Sequence, residues 1–162
     1  MVHKIPGLMM AEKDGSDIRS FYSLSTKKFI NIHLTELRGR RCWGSPYGWL
    51  IILGTDLEIH LLNPLTHAQI RLPSQTTFKD QYPEKSNFTS EVVREIFIRK
   101  AIRLSTPTST INGNCIVMTI YSHWGKLAIA KPGDKTWTTL ESSFAHYYDV
   151  ICFKDQVNAI YS

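Results

Sequence analysis

Apolar and polar residues alternate along the first part of the chain with the period of a β-strand. In the segment 28–34, Ile30, Ile32 and Leu34 fall on one face, and the residues between them are asparagine and histidine. Because the side chains of a strand point alternately to its two faces, this pattern predicts a half-buried strand. The segment 19–24 is predicted to pair with it as a hairpin, with the turn between them.

Apolar runs and turn residues predict further short strands. Gly48–Leu53 is apolar on both faces, which predicts a strand in the middle of a sheet. Asn63-Pro64 is predicted to end the preceding strand, because proline cannot donate a hydrogen bond to the β-ladder. Residues 90–104 support two interpretations, since their first half could form a helical face and their second half is rich in β-branched residues. We predict a strand for the second half.

The chain therefore supplies roughly ten short strands and almost no helix, as in a sandwich, a barrel or a propeller. Two groups of strand and turn signals recur with degenerate sequence, which favours a propeller. The first group comprises Cys42–Leu50, Glu58–Thr66 and Ile70–Pro73, and the second comprises Cys115–Tyr121, Lys126–Asp134 and Trp137–Leu140. We predict an all-β fold: an incomplete β-propeller of about two and a half blades of short antiparallel strands. Residues 1–18 are predicted to be a lead-in segment and residues 19–162 the propeller domain.

Composition narrows the class of protein. Apolar residues make up 43% of the 162 residues and charged residues 20%, which is typical of one folded globular domain. Cys42, Cys115 and Cys152 lie far apart without CxxC or CxxH spacing, which argues against zinc and for a reducing compartment. No signal-peptide core and no run of roughly 18 apolar residues is present. We expect an intracellular protein of the cytoplasm, the nucleus or both, without membrane association.

Several motifs in order resemble a plant protein family. They are Arg19–Leu24, Gly44–Leu50, Leu61–Thr66, Ile98–Ala101, and Lys131–Asp134 with Trp137. Together they resemble the KIB-type β-propeller domain of plant F-box proteins, and the resemblance extends from about Ile5 to the carboxyl end.

The resemblance implies a kelch-like propeller that recruits a substrate protein for ubiquitin ligation. In the family, an upstream F-box helix bundle binds the Skp adaptor, so adaptor binding is expected only in relatives that carry an F-box. This sequence departs from the family pattern at Pro46-Tyr47 and at His67. It shows no helical F-box before residue 5 and ends partway through a further blade. We expect a truncated or divergent member that self-associates through open propeller edges.

The residue pattern gives no support for catalysis, a cofactor or a metal site. The chain has six histidines, but His123 and His146 lack a carboxylate or cysteine partner at motif spacing. Gly44–Gly48 lacks the central serine of a nucleophile elbow. Phosphate-loop, dinucleotide and HExxH motifs are absent from the sequence. We therefore expect a protein that is not an enzyme.

Aromatic residues in turns are the candidate partner-binding residues. Trp124 and His123 share the turn Ser122–Gly125, and Trp43 and Tyr47 lie beside glycines. A tryptophan in such a place either packs between neighbouring blades or forms an exposed anchor of a binding surface. Both interpretations are open for these residues.

A net charge of +5 and a pI of about 9.2 add nucleic-acid binding as an alternative function. It requires seven basic residues to converge on one face: Arg38, Arg40, Arg41, Arg94, Arg99, Lys100 and Arg103. The group Arg38–Arg41 is also typical of a solvated turn, so the protein partner remains the leading hypothesis.

Overall fold

The computed structural model describes residues 7–10, 15–45, 48–83, 86–105, 115–141, 146–154 and 156–162. Within these ranges the chain forms thirteen strands in four antiparallel sheets. The first sheet contains β1 (Gly7–Met9), β2 (Ile18–Ser23) and β3 (Lys28–His33). The second contains β4 (Arg41–Gly44), β5 (Leu50–Leu53), β6 (Ile59–Leu62) and β7 (Gln69–Arg71). The third contains β8 (Ile98–Ser105), β9 (Cys115–Tyr121), β10 (Lys126–Ala130) and β11 (Thr138–Leu140). The fourth contains β12 (Tyr147–Phe153) and β13 (Gln156–Tyr161).

Each sheet pairs strands that are neighbours in the chain, so every sheet is a local antiparallel meander. This confirms the prediction of an all-β fold of short antiparallel strands grouped in blade-like units. The second and third sheets have four strands each, and the first and fourth are smaller. The described residues of the predicted lead-in segment, 1–18, include β1, which pairs with β2.

The sheets are packed against one another in chain order through three apolar clusters. The cluster between the first and second sheets includes Leu50 and Ile52 of β5, and the large cluster between the second and third includes Ile51 and Leu53 of the same strand. All four residues are at most 5% exposed, as predicted for a strand in the middle of a sheet. The cluster between the third and fourth sheets contains Ile102, Ile120, Leu127 and Val150.

The connection between the second and third sheets carries the helix α1 (Ser90–Ile96). Its N-cap is Thr89, whose hydroxyl accepts a hydrogen bond from the amide of Val92. Strand β8 begins directly after the helix, so the second half of the ambiguous segment is a strand, as predicted, and the first half is helical. Short 3₁₀ helices form at Thr35–Leu37 and Gln75–Thr77.

Trp137 packs in the apolar cluster between the second and third sheets. It is 4% exposed, its ring stacks on Phe78 with centroids 4.6 Å apart, and its Nε1 donates to the carbonyl oxygen of Pro73 at 2.8 Å. This tryptophan therefore packs between two sheets rather than forming part of a binding surface.

Candidate functional site

The turn between β9 and β10 positions His123 and Trp124. Ser122 and Gly125 have φ angles of 59° and 61°, so both adopt the left-handed conformation that reverses the chain tightly. The amide of Ser122 donates to the carbonyl of Phe97 at 2.8 Å, and the amide of Tyr147 donates to the carbonyl of Gly125 at 2.9 Å. The turn is thus fixed to the start of the third sheet on one side and of the fourth on the other.

Arg99, the second residue of β8, joins this turn to β12. Its Nη2 donates to the carbonyl oxygen of His123 at 2.7 Å, and its Nη1 lies 2.8 Å from Nε2 of His146. A guanidinium has donors only, so in this contact Nε2 of His146 is the acceptor. Trp43 donates from Nε1 to the carbonyl oxygen of Arg99 at 3.4 Å, which adds a contact from the second sheet.

Six rings gather around Arg99 and form what we call the aromatic surface. Its members are Tyr82, Phe88, His123, Trp124, His146 and Tyr148. Ring centroids lie 5.0 Å apart for Tyr82–Phe88, 6.3 Å for Tyr82–His123, 4.3 Å for His123–Trp124 and 4.9 Å for His146–Tyr148. The spacings of the first three pairs make a continuous row, and Arg99 connects that row to the His146–Tyr148 stack.

The surface exposes large rings to solvent. Trp124 is 61% exposed, Tyr148 57% and Phe88 44%. Burial raises the pKa of the Tyr82 phenol, and the positive charge of nearby Arg99 offsets part of that effect. At neutral pH the Tyr82 phenol therefore keeps its proton beside the Arg99 guanidinium.

The predicted partner-binding residues fall into different environments. His123 and Trp124 lie together on the aromatic surface. Trp43 is half-buried against the core, with the Arg41 guanidinium 4.7 Å from its ring centroid, so its indole is largely a packing group. Tyr47 lies outside the described residues.

Sequence reasoning did not identify Arg99, Tyr82 and Tyr148 as parts of this site. His146 has no partner at motif spacing, and its contact with Arg99 joins residues 47 positions apart. No motif spacing encodes such a contact, because it depends on how the third and fourth sheets are packed.

The seven basic residues of the nucleic-acid hypothesis are mostly occupied within the protein. Four of them form ion pairs: Arg38 with Asp17, Arg40 with Asp56, Arg94 with Glu95, and Lys100 with Asp149. Arg41 donates to the carbonyls of Glu95 and Ile98. Arg103 is 9% exposed and donates to Sγ of Cys115. These six side chains thus already have an acceptor within the protein, which does not favour a phosphate-binding face.

Histidine–carboxylate pairs occur elsewhere in the molecule. His67 lies 2.8 Å from Glu36, and His33 lies 3.9 Å from Asp17. Across the described ranges, no group of three or more His, Cys, Asp or Glu side chains is placed to hold a metal ion. In that same part of the chain, no helix has the length and apolar character needed to span a bilayer.

Comparison with known proteins identifies the family. Residues 21–162 match the family model described as the KIB1-4 beta-propeller. A protein of Arabidopsis thaliana named as an F-box protein is 29% identical over 111 residues, which cover 67% of this chain and 29% of that protein. The match thus spans less than a third of the relative's length, and no solved structure matches the chain significantly. Since the family model covers most of the sequence and the resemblance seen in the motifs is thereby confirmed, the chain belongs to the KIB1-4 β-propeller family.

Proposed function

We propose that the chain is a protein-interaction module that recruits a partner protein through the aromatic surface. The observation that carries this proposal is the group of exposed rings that Arg99 holds in place, with Trp124 61% and Tyr148 57% exposed. Aromatic side chains are the commonest energetic anchors of protein interfaces, because they bury a large area and lose little conformational entropy.

The surface is organised before any partner binds. Both ends of the His123–Trp124 turn are held by main-chain hydrogen bonds, and His146 is held between Arg99 and Tyr148. A rigid surface avoids much of the ordering cost of association, so its contacts contribute more fully to affinity.

Relatives with an F-box suggest the biological setting. The Arabidopsis protein is named as an F-box protein, and the family resemblance implies that the propeller of such proteins recruits the substrate of a ubiquitin ligase. We propose the same role for this domain, with substrate recruitment as its contribution and no catalytic role of its own. We expect binding of the Skp adaptor only in relatives that carry an F-box.

The test compares capture of plant proteins by purified wild-type protein, Trp124→Ala and Tyr148→Ala, with quantitative mass spectrometry. Leu65→Ala is the matched control, because Leu65 is 79% exposed in the turn between β6 and β7. We expect a defined set of proteins to be captured by wild type and the control and to be lost, by at least about fivefold, with either aromatic variant. Equal capture by all four proteins would reject the aromatic surface as the recruiting site.

A further inference from the structure

We infer that the aromatic surface recognises an acidic peptide segment of its partner, with Arg99 binding the carboxylate and the neighbouring rings binding an adjacent proline or aromatic residue. This inference rests on the proposed function and adds the chemistry of the partner. Arg99 has a positioning contact with His123 and His146, and we assign it a direct contact with the ligand as well.

The donor count of Arg99 supports a ligand. A guanidinium has five N–H donors, and the protein contacts of Arg99 are with one carbonyl oxygen and one imidazole nitrogen. The other N–H groups have no acceptor among the described residues. Arg99 is an exposed residue, and a carboxylate is the group that best matches the planar fork of a guanidinium.

Among the described residues, Arg99 has no carboxylate partner. The exposed arginines Arg38 and Arg71 each have one, in Asp17 and Glu58, but the two contacts of Arg99 are with a carbonyl oxygen and an imidazole nitrogen. An anionic ligand would therefore gain a charge-assisted hydrogen bond without displacing an internal ion pair.

The rings next to Arg99 specify what flanks the acidic group. Trp124 lies against the His123 ring and Tyr148 against the His146 ring. Both are more than half exposed, and their flat faces suit a proline or an aromatic side chain. Because Arg99 is held by contacts with both His123 and His146, the carboxylate and the apolar residue would bind at a fixed spacing.

A peptide fits these observations better than a nucleic acid. Binding to a phosphate backbone needs several free cations in a row, whereas Lys100, the next residue along β8, is already paired with Asp149. The Arg99 guanidinium, with its remaining N–H donors among aromatic rings, matches one carboxylate.

The experiment uses an array of nine-residue peptides in which aspartate or glutamate adjoins proline, phenylalanine or alanine. Each peptide has a partner in which asparagine or glutamine replaces the acid. The strongest pairs are then measured by fluorescence anisotropy against wild type, Arg99→Gln, Arg99→Lys, Trp124→Ala and the control Arg71→Gln. Thermal melting of each variant shows whether the fold is retained.

We expect wild type and Arg71→Gln to bind the acidic peptides at least about tenfold more tightly than their amide partners. Arg99→Gln should abolish that difference, and Arg99→Lys should keep part of it because it keeps the charge. Trp124→Ala should weaken acidic and amide peptides alike.

Three outcomes would overturn the inference: equal binding of acid and amide peptides by wild type, an acid preference that persists in Arg99→Gln, or single-stranded RNA that binds the same surface more tightly than any peptide. If Trp124→Ala weakens peptide binding while acid and amide peptides bind equally, the acidic ligand is rejected and the proposed interaction function stands. If no peptide binds and Trp124→Ala also leaves partner capture unchanged, both are rejected.

Discussion

Asp80 shows how single side chains tie the connecting segments to the sheets. Its Oδ2 accepts hydrogen bonds from the Tyr121 hydroxyl at 3.0 Å and from Nζ of Lys126 at 2.9 Å. Tyr121 is fully buried, and its hydroxyl also contacts Thr139 at 2.7 Å. The carboxylate therefore fixes the connection between the second and third sheets to β9 and β10.

The stability that Asp80 contributes is expected to depend on pH. The hydrogen bond from Lys126 lowers the pKa of Asp80 below its ordinary value of 3.8. A carboxyl group with a lowered folded-state pKa stabilises the fold above its unfolded pKa, and this contribution is lost as the pH falls through the folded pKa. We expect Asp80→Asn to lower the free energy of unfolding by about 1 kcal/mol at pH 7, with the deficit shrinking below about pH 4.

Urea unfolding of wild type and Asp80→Asn at pH 7, 5 and 3 measures the difference in their free energies of unfolding. Glu141→Gln is the control, because Glu141 forms an ion pair in which both side chains are well exposed, and such pairs contribute little. A deficit for Asp80→Asn that is the same at pH 3 and pH 7 would contradict the assignment.

The side chain of Cys42 behaves as a small apolar group. Burial raises the pKa of Cys42 to about 12, and its side chain packs beside the cluster of Leu50 and Ile52 between the first two sheets. A thiol with so high a pKa is almost entirely protonated at neutral pH, so Cys42 is a packing residue rather than a nucleophile.

At the scale of elements, turns in the left-handed conformation determine where sheets meet. Gly125 ends the turn that carries Trp124, and a Cβ at this position would lie 2.7 Å from the carbonyl oxygen of Tyr147 and 2.6 Å from the His146 ring. Gly133 also has a positive φ, of 91°, but a Cβ there has nothing within 4 Å. A side chain at either glycine would strain the backbone, but only at Gly125 would it also clash with neighbouring atoms. Comparing the two positions therefore distinguishes the two effects.

We predict that Gly125→Ala lowers the free energy of unfolding by at least about 2 kcal/mol, and Gly133→Ala by about 1 kcal/mol. The additional loss at Gly125 comes from the clash with the start of β12. Chemical denaturation measures both, and peptide binding by Gly125→Ala should also weaken because the turn moves. Equal destabilisation by the two substitutions would show that the close packing against Tyr147 adds nothing to the loss of stability.

At the scale of the whole molecule, the described residues cover both faces of each inner sheet but only one face of each outer sheet. On the other face of the first sheet Phe29 is 62% exposed, and on that of the fourth Phe153 is 64% exposed. Further exposed apolar residues lie on these two sheets: Leu8, Ile18, Ile151 and Ile160. Exposed apolar faces of this kind favour association.

We predict that the isolated chain self-associates through its outer sheets. Sedimentation at about 1 and 100 μM should show oligomers that increase with concentration, because burying such faces removes apolar area from water. The double variant Phe29→Lys/Phe153→Lys should shift the chain toward monomer, whereas Leu65→Lys in the turn between β6 and β7 should not. A wild-type monomer at both concentrations would reject this prediction.

Local patterns in the sequence determined the strands and most turns. The alternation in 28–34 predicted β3, the doubly apolar run before Gly54 predicted the buried strand β5, and Asn63-Pro64 predicted the end of β6, whose last residue is Leu62. These features follow from side-chain periodicity and backbone sterics, which act within a few residues. The ordered motifs also carried the family resemblance.

Only the tertiary structure decided which side chains form the candidate site. Trp43 and Trp124 look alike in the sequence, each beside a glycine, yet the first is half-buried and the second exposed. Arg99 is one of several scattered arginines until the packing of the third and fourth sheets brings His123 and His146 to it. Burial and contacts of this kind depend on which sheet faces lie against each other, and that is a property of the packed chain rather than of any local segment.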